Sequence, residues 1–415
     1  MENRYINSNV PWIGTIPADW RLLKLKETCS AKKEIVGDKV DSYERLALTL
    51  NGVIRRSKTD SDGLQPEEFS GYQIVNKGDF IFKMIDLQNL STSRVGLSDY
   101  TGIVSPAYIR FEHKNQNAKY IYYFLMYLYY SYVYNSLGGN GVRSALNSND
   151  MGNLLIPFPS IEEQQKIVDI IEEKITNIDS LIKANENEIN KLVEYKKALI
   201  YESVTKGIRK TAYKESGISY LGKIPLSWKV IKHKAILFKE KKICDKYNNE
   251  PVLSLSMDGV IVRDLDNPTG KMPTTFDGYQ YVKKGNLLLC LFDIDITPRC
   301  VGIINNDGVT SPAYSQYVLQ KGNCLKYYYY LLLAIDNNKS FVHLSKNLRS
   351  SLSEDNFGLI DTIQPSYEEQ IEIADYLDKK IDNIDTLIKN RNSSIEKLIE
   401  YRTSMLYEYL TGKTI

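Results

Sequence analysis

The sequence is one unit written twice, and no other feature restricts the fold as much. The segment VPWIGTIPADW (Val10 to Trp20) returns 208 residues later as ISYLGKIPLSW (Ile218 to Trp228). LTLNGVIRR (Leu48 to Arg56) answers LSMDGVIVR (Leu255 to Arg263), and GYQIVNKGDFIF (Gly71 to Phe82) answers GYQYVKKGNLLL (Gly278 to Leu289). SPAY recurs at Ser105 to Tyr108 and Ser311 to Tyr314, the tyrosine run Lys119 to Leu125 pairs with Lys326 to Leu332, and Arg143-Ser144 pairs with Arg349-Ser350. The offset drifts only from 208 to 206. Two long copies predict a pseudo-two-fold molecule, whereas a solenoid needs several short ones.

Each copy closes with a polar, periodic segment, Ser160 to Lys206 and Ser366 to Thr411. Both open directly after a proline with Ser-x-x-Glu (Ser160 and Glu163; Ser366 and Glu369), the pattern of a helix capping box. Apolar residues then recur in 4-3-4-3 steps. The first copy reads Ile171, Ile175, Ile178, Ile182, Asn185, Ile189, Leu192, Lys196, Leu199. The second reads Leu377, Ile381, Ile384, Ile388, Arg391, Ile395, Leu398, Arg402, Met405. This spacing predicts a coiled-coil seam, with the polar interruptions fixing register at some cost in stability.

The 415 residues exceed one ordinary domain, and 43% hydrophobic with 25% charged residues describes a globular protein. Apolar stretches such as Ile121 to Leu128 are too short to cross a bilayer, and the first ten residues carry no apolar signal core, so a cytoplasmic protein is expected. Five scattered cysteines without a C-x-x-C pair, and three isolated histidines, point to neither a disulfide framework nor a metal cage. Net charge is only +2. The two periodic segments carry −3 and −4, however, which leaves +9 on the remainder, a basic excess compatible with phosphate neutralisation.

Outside the periodic segments, Gly71 to Lys83, Gly102 to Phe111, Gly278 to Leu291 and Gly308 to Leu319 read as strands with hairpin-type connections. The tyrosine-rich stretches Lys119 to Tyr134 and Lys326 to Ile335 read as helices, which makes each half α+β. Tyr122, Tyr123 or Tyr127 could stack on bases, although such a run more often faces a core. The sequence contains no N-P-P or D-P-P run and no G-x-G-x-x-G in a strand-turn-helix setting; Ser144 stands where the third glycine would follow Gly139 and Gly141. Gly412-Lys413-Thr414 fails as a phosphate loop because Tyr407 occupies the first glycine position. The loop Leu137 to Arg143 and its counterpart Leu344 to Arg349 place one arginine among small residues, suited either to a nucleic-acid backbone or to an ion pair within the domain.

This arrangement resembles the specificity subunit of type I restriction-modification enzymes. The residues that carry the likeness are Pro159-Ser-Ile-Glu-Glu-Gln164 with Pro365-Ser-Tyr-Glu-Glu-Gln370, and Ile13-Gly-Thr-Ile-Pro17 with Leu221-Gly-Lys-Ile-Pro225. The resemblance implies an α+β fold of two similar target recognition domains (1–159 and 207–365), related by pseudo-two-fold symmetry. Two long helices (160–206 and 366–415) would join them as an antiparallel coiled coil. Each domain would read one half of a bipartite target in double-stranded DNA, while the helices set the spacer and dock two methyltransferase subunits for adenine methylation. Two restriction subunits would complete the assembly. The chain itself would be non-catalytic and bind no cofactor, with S-adenosylmethionine, ATP and magnesium serving the partner subunits. Candidate DNA-contacting residues are Arg55, Arg56, Lys58, Asn89, Arg94 and Arg143 in the first half, and Arg263, Lys271, Arg299, Asn347 and Arg349 in the second. A self-contained endonuclease or methylase, and a coiled-coil scaffold that binds only protein, are the competing readings.

Overall fold

The computed structural model describes residues 5–414, except 51, 61–65, 67, 88–92, 115–116, 138–144, 268–271 and 346–349. It divides into two compact units, Met1–Asn185 with Asn392–Ile415, and Glu186–Arg391, so each unit takes half of both long helices.

In the first unit a four-stranded mixed sheet runs in the order Gly52–Arg56, Arg45–Thr49, Gly102–Val104, Gln73–Val75. A second sheet, all antiparallel, runs Cys29–Lys32, Ile109–His113, Phe80–Phe82, Val95–Leu97. The second unit repeats both orders, as Gly259–Val262, Val252–Ser256, Gly308–Thr310, Gln280–Val282 and as Leu237–Glu240, Tyr314–Leu319, Leu287–Cys290, Val301–Ile303. The internal repeat is thus a repeat of topology, strand for strand.

Each run read from the sequence as one strand region is two strands in different sheets. Gln73–Val75 and Phe80–Phe82 lie in separate sheets, as do Gly102–Val104 and Ile109–His113. The corner between the first two is built by Gly78, whose φ of +92° suits glycine, and by Asp79, whose carboxylate accepts the Asn76 N–H at 2.7 Å. A buried side chain fixes the corner between the other two strands. Gln73 donates from Nε2 to the carbonyls of Ser105 and Tyr108 at 3.0 and 2.6 Å, and Gln280 does the same to Ser311 and Tyr314 at 3.0 and 2.6 Å. The recurring GYQ and SPAY blocks are the two halves of this clamp.

The tyrosine helices span Ala118–Tyr130 and Leu325–Asn337. Left-handed residues, Tyr132 (φ +56°) and Lys339 (φ +52°), then separate them from short helices at Val133–Leu137 and Ser340–Leu344. The first expected helix therefore ends earlier than its apolar spacing suggests. Tyr120, Tyr134 and Tyr327 are fully buried, and burial pushes their phenols well above the ordinary range, so each hydroxyl donates to a carbonyl: Pro157, Leu125 and Val204 respectively.

The long helices are Ile161–Lys206 and Tyr367–Leu410. The seam residues Ile171, Ile175, Ile178, Ile182, Asn185, Ile189, Leu192, Leu377, Ile381, Ile384, Ile388, Arg391, Ile395 and Leu398 are all buried or half-buried. Within the first unit Arg402 pairs with Asp179 (3.2 Å) and Lys174 lies over Tyr409. Within the second, Lys196 pairs with Asp385 (2.6 Å) and Arg391 with Glu188 (3.0 Å). Rising numbers on one helix meet falling numbers on the other, so in each unit the pairing is antiparallel. The seam cations at 196 and 402 sit at matching repeat positions and meet matching aspartates, which explains why both copies tolerate a charge there.

Candidate nucleic-acid interface

In the first unit three described candidates surround one β-hairpin. Arg45–Thr49 pairs with Gly52–Arg56 at the sheet edge, and Gly52 (φ +89°) follows the reversal. Tyr43, Glu44, Arg45, Arg55, Arg56 and Lys58 line an open depression of about 410 Å³ beside it. Arg55 is exposed; its Nε bonds Glu44 at 2.9 Å and its guanidinium lies 4.5 Å from the centre of the Tyr100 ring. Arg56 pairs with Asp60 at 3.1 Å, while Lys58 donates to the Val40 carbonyl at 2.6 Å. A two-stranded ribbon that carries the exposed Arg55 guanidinium has the dimensions of a major-groove reader.

The second unit has the same hairpin, Val252–Ser256 with Gly259–Val262, and Gly259 (φ +103°) again follows the reversal. Arg263 sits just beyond it, half-buried, its N–H bonded to the Val252 carbonyl.

Two candidates are corrected by their surroundings. Arg94 is 2% exposed, and its guanidinium donates to the carbonyls of Lys83, Ile85 and Asp86 at 3.2, 2.7 and 2.6 Å. It organises the loop after Phe80–Phe82 and has no open path to a base. Arg299 is half-buried, bonded to the carbonyls of Val301 and Met257 and to the Tyr329 hydroxyl, so it too braces its own unit. Asn89, Arg143, Lys271, Asn347 and Arg349 lie outside the described residues.

The tyrosines proposed for base stacking are core or half-buried residues. Tyr127 is 6% exposed and donates to the Trp12 carbonyl, and Tyr123 donates to Glu172.

A different signal marks the joint between each globular part and its helix. Gln164 donates to the Pro159 carbonyl and accepts the N–H of Asn117 at the start of the tyrosine helix. Gln370 repeats this with Pro365 and Cys324. Lys119 and Tyr123 converge on Glu172, as Lys326 and Tyr330 do on Asp378. Gly412 (φ +70°) closes the last helix against Pro17 and Trp20, and Gly207 (φ +72°) closes the first against Pro225 and Trp228. The proline-tryptophan motifs and the P-x-x-E-E-Q motifs are therefore joint pieces.

Residues 17–191 match the family model described as the type I restriction modification DNA specificity domain. That match covers less than half of the chain. The chain is 28% identical over 181 residues to the type I restriction enzyme MjaVIII specificity subunit of Methanocaldococcus jannaschii, covering 41% of this chain and 40% of that one. It is 23% identical over 261 residues to a protein of the same organism provisionally named as the type I restriction enzyme MjaX specificity subunit, covering 57% and 58%. These alignments span about half the length of the relatives. A solved structure described as the structural basis of complex assembly and conformational transition of the type I R-M system has the same fold, with a TM-score of 0.69 at 14% identity, covering 96% of this chain and 99% of the other. All five cysteines are free, and the described residues hold no group of three His, Cys, Asp or Glu side chains placed for a metal ion. No described helix is long and apolar enough to cross a membrane.

Proposed function

We propose that the chain is the non-catalytic, cytoplasmic DNA sequence-recognition subunit of a type I restriction-modification complex. Each globular unit reads one half of a bipartite duplex target, and the antiparallel helices hold the halves at a set spacing and dock two methyltransferase subunits. Two restriction subunits join the full assembly. S-adenosylmethionine, ATP and magnesium act on those partners. The observation that carries this reading is the specificity-domain match over residues 17–191, on a unit whose strand order recurs throughout the second unit. The exposed Arg55, with the half-buried Arg56 beside it on a sheet-edge ribbon, adds a surface of the right shape and charge.

The test is to produce the chain with and without its methyltransferase subunits and map the adenines methylated in a random duplex library. A bipartite motif with a fixed spacer is expected only with both components. Methylation or cleavage by the purified chain alone would overturn the reading in favour of a self-contained enzyme. Stable assembly without any sequence preference would leave a protein scaffold.

A further inference from the structure

Within the repeated hairpins the packing residues are kept, and among the described strand positions one exposed charge is exchanged for an apolar side chain. Leu48 and Val53 pack beneath the first hairpin, and Leu255 and Val260 stand at the same alignment positions, Val260 packing beneath the second. Arg55, however, aligns with Val262, and both are exposed, at 60% of the side chain and 46% of the residue. The two groups that hold Arg55 change with it. Glu44 and Tyr100, which bond and stack the guanidinium, align with Pro251 and Asn306. Three residues that meet in space in the first unit thus differ together between ribbons that share their fold and packing residues.

A free arginine on a surface samples many rotamers and suits a phosphate as well as a base. One fixed by a carboxylate on Nε and by a ring on its face keeps its terminal nitrogens pointed outward in one plane. Bidentate recognition of the O6 and N7 acceptors of guanine needs such a plane. A valine in the same place offers only an apolar surface, which matches the methyl group of thymine.

We propose that Arg55, oriented by Glu44 and Tyr100, specifies a guanine in the half-site read by the first unit, and that Val262 contacts a thymine methyl at the corresponding position of the other half-site. This rests on the DNA-reading function above, and it names the base that each ribbon selects. Glu44 and Tyr100 act as positioning residues.

The experiment uses the full chain assembled with its methyltransferase subunits and selects bound duplexes from a randomised bipartite library. Arg55→Val is expected to lower the preference for guanine about tenfold or more at a single position of one half-site. The other half-site and the spacer should stay as they are. Glu44→Gln and Tyr100→Leu should relax the same position by less. The reciprocal triple graft Pro251→Glu, Val262→Arg and Asn306→Tyr is expected to move one position of the second half-site from thymine to guanine. Arg55, Glu44, Pro251, Val262 and Asn306 are exposed, whereas Tyr100 is half-buried against a small apolar cluster. Melting curves of every variant therefore check folding, and the Arg55→Val and Glu44→Gln variants carry the test if Tyr100→Leu is destabilised. If the Arg55→Val complex selects the wild-type sequence with uniformly weaker binding, Arg55 contacts phosphate and the proposal is overturned. If the wild-type complex selects no sequence at all, the DNA-reading function fails, and this assignment fails with it.

Discussion

The buried polar pair of the first unit has an uncharged equivalent in the second, which provides an internal template for exchanging it. Arg110 and Asp79 are each 4% exposed and meet at 2.6 Å from Nε to Oδ2, and Arg110 also donates to the Ile74 carbonyl at 2.8 Å. At the aligned positions the second unit has Gln316 and Asn286, joined at 3.1 Å. Gln316 Nε2 donates to the Tyr281 carbonyl, which aligns with Ile74, and its Oε1 accepts the Lys283 N–H, which aligns with that of Asn76. The amide pair thus serves the same backbone groups without charge. Arg110→Gln alone leaves a buried carboxylate without its cation, and Asp79→Asn alone leaves a buried guanidinium with only the exposed Glu34 carboxylate, 3.9 Å away. Either should cost about 3–5 kcal/mol. The double variant installs the amide pair of the second unit, without the Glu240 carboxylate to which Asn286 also donates there, and should return to within roughly 1–2 kcal/mol of the parent, because a buried ion pair gains little over a satisfied neutral one. The coupling in the cycle is then at least about 3 kcal/mol. In melting temperature the single variants should fall by roughly 6–15 °C and the double by a few degrees. Hydrogen exchange of peptides containing Phe80–Phe82 and Ile109–His113 reads the effect locally, with Leu287–Cys290 and Tyr314–Leu319 as the internal reference. A double variant as unstable as the sum of its parts would refute the equivalence of the two pairs.

Three further outcomes are expected. His233 is buried where the first unit has Leu25, and burial pulls its pKa down from 6.5 to about 4. The unfolded chain therefore takes up a proton that the folded one refuses between those values, so stability falls by about 3 kcal/mol as pH drops from 6.5 to 4. His233→Leu should flatten that slope in urea unfolding of the second unit, and an unaltered slope would rule out His233 as its source. Gln370→Ala strands the Cys324 N–H and the Pro365 carbonyl and should cost about 1–3 kcal/mol, seen as faster exchange in Leu325–Asn337 but not in Ala118–Tyr130. Gly412→Ala adds a Cβ 2.5 Å from Pro17 in a left-handed backbone and should destabilise the first unit by more than Gly37→Ala, where φ is +55° and the space is open; equal thermal shifts would show that the Pro17 approach is relieved freely.

Much of this fold was legible because repetition supplied what a single copy hides. The helical seam could be read from spacing alone, since heptads are local and both copies carry them in phase. The doubled sheets could not. Gly71 to Phe82 looks like one apolar run, and only the Gln73 clamp on the Ser105 turn, bonds across 32 and 35 residues, shows that it changes sheet midway. Arg94 failed as a surface candidate for a similar reason. Its carbonyl partners lie eight to eleven residues upstream on the chain, and nothing in its neighbours' identity reveals its burial. Arg55 kept its exposed place because the ribbon that bears it forms a sheet edge, a property of strand order. The joint was visible in the sequence as a recurring P-x-x-E-E-Q motif, but its role was not, because the partner of Gln164 is a backbone N–H 47 residues away.

The two copies also show which kinds of interaction survive divergence. Gln73 and Gln280, Gln164 and Gln370, and Gly412 and Gly207 all answer to main-chain groups or to backbone conformation. A carbonyl or an N–H is present whatever the residue, so the demand on the side chain persists through divergence. Asp79 and Arg110 answer largely to each other, and such a pair can be replaced together, as Asn286 and Gln316 show. Leu25 and His233 fill equivalent core space, where volume matters most and a neutral imidazole is tolerated above its lowered pKa. Arg55 and Val262 face outward and answer to neither constraint. Change at that position is therefore nearly free with respect to folding, while Glu44 is exposed and Tyr100 is only half-buried against the cluster of Val53 and Ile81. A nearly cost-free surface position whose supports vary with it is where a duplicated reader can acquire two specificities on one framework.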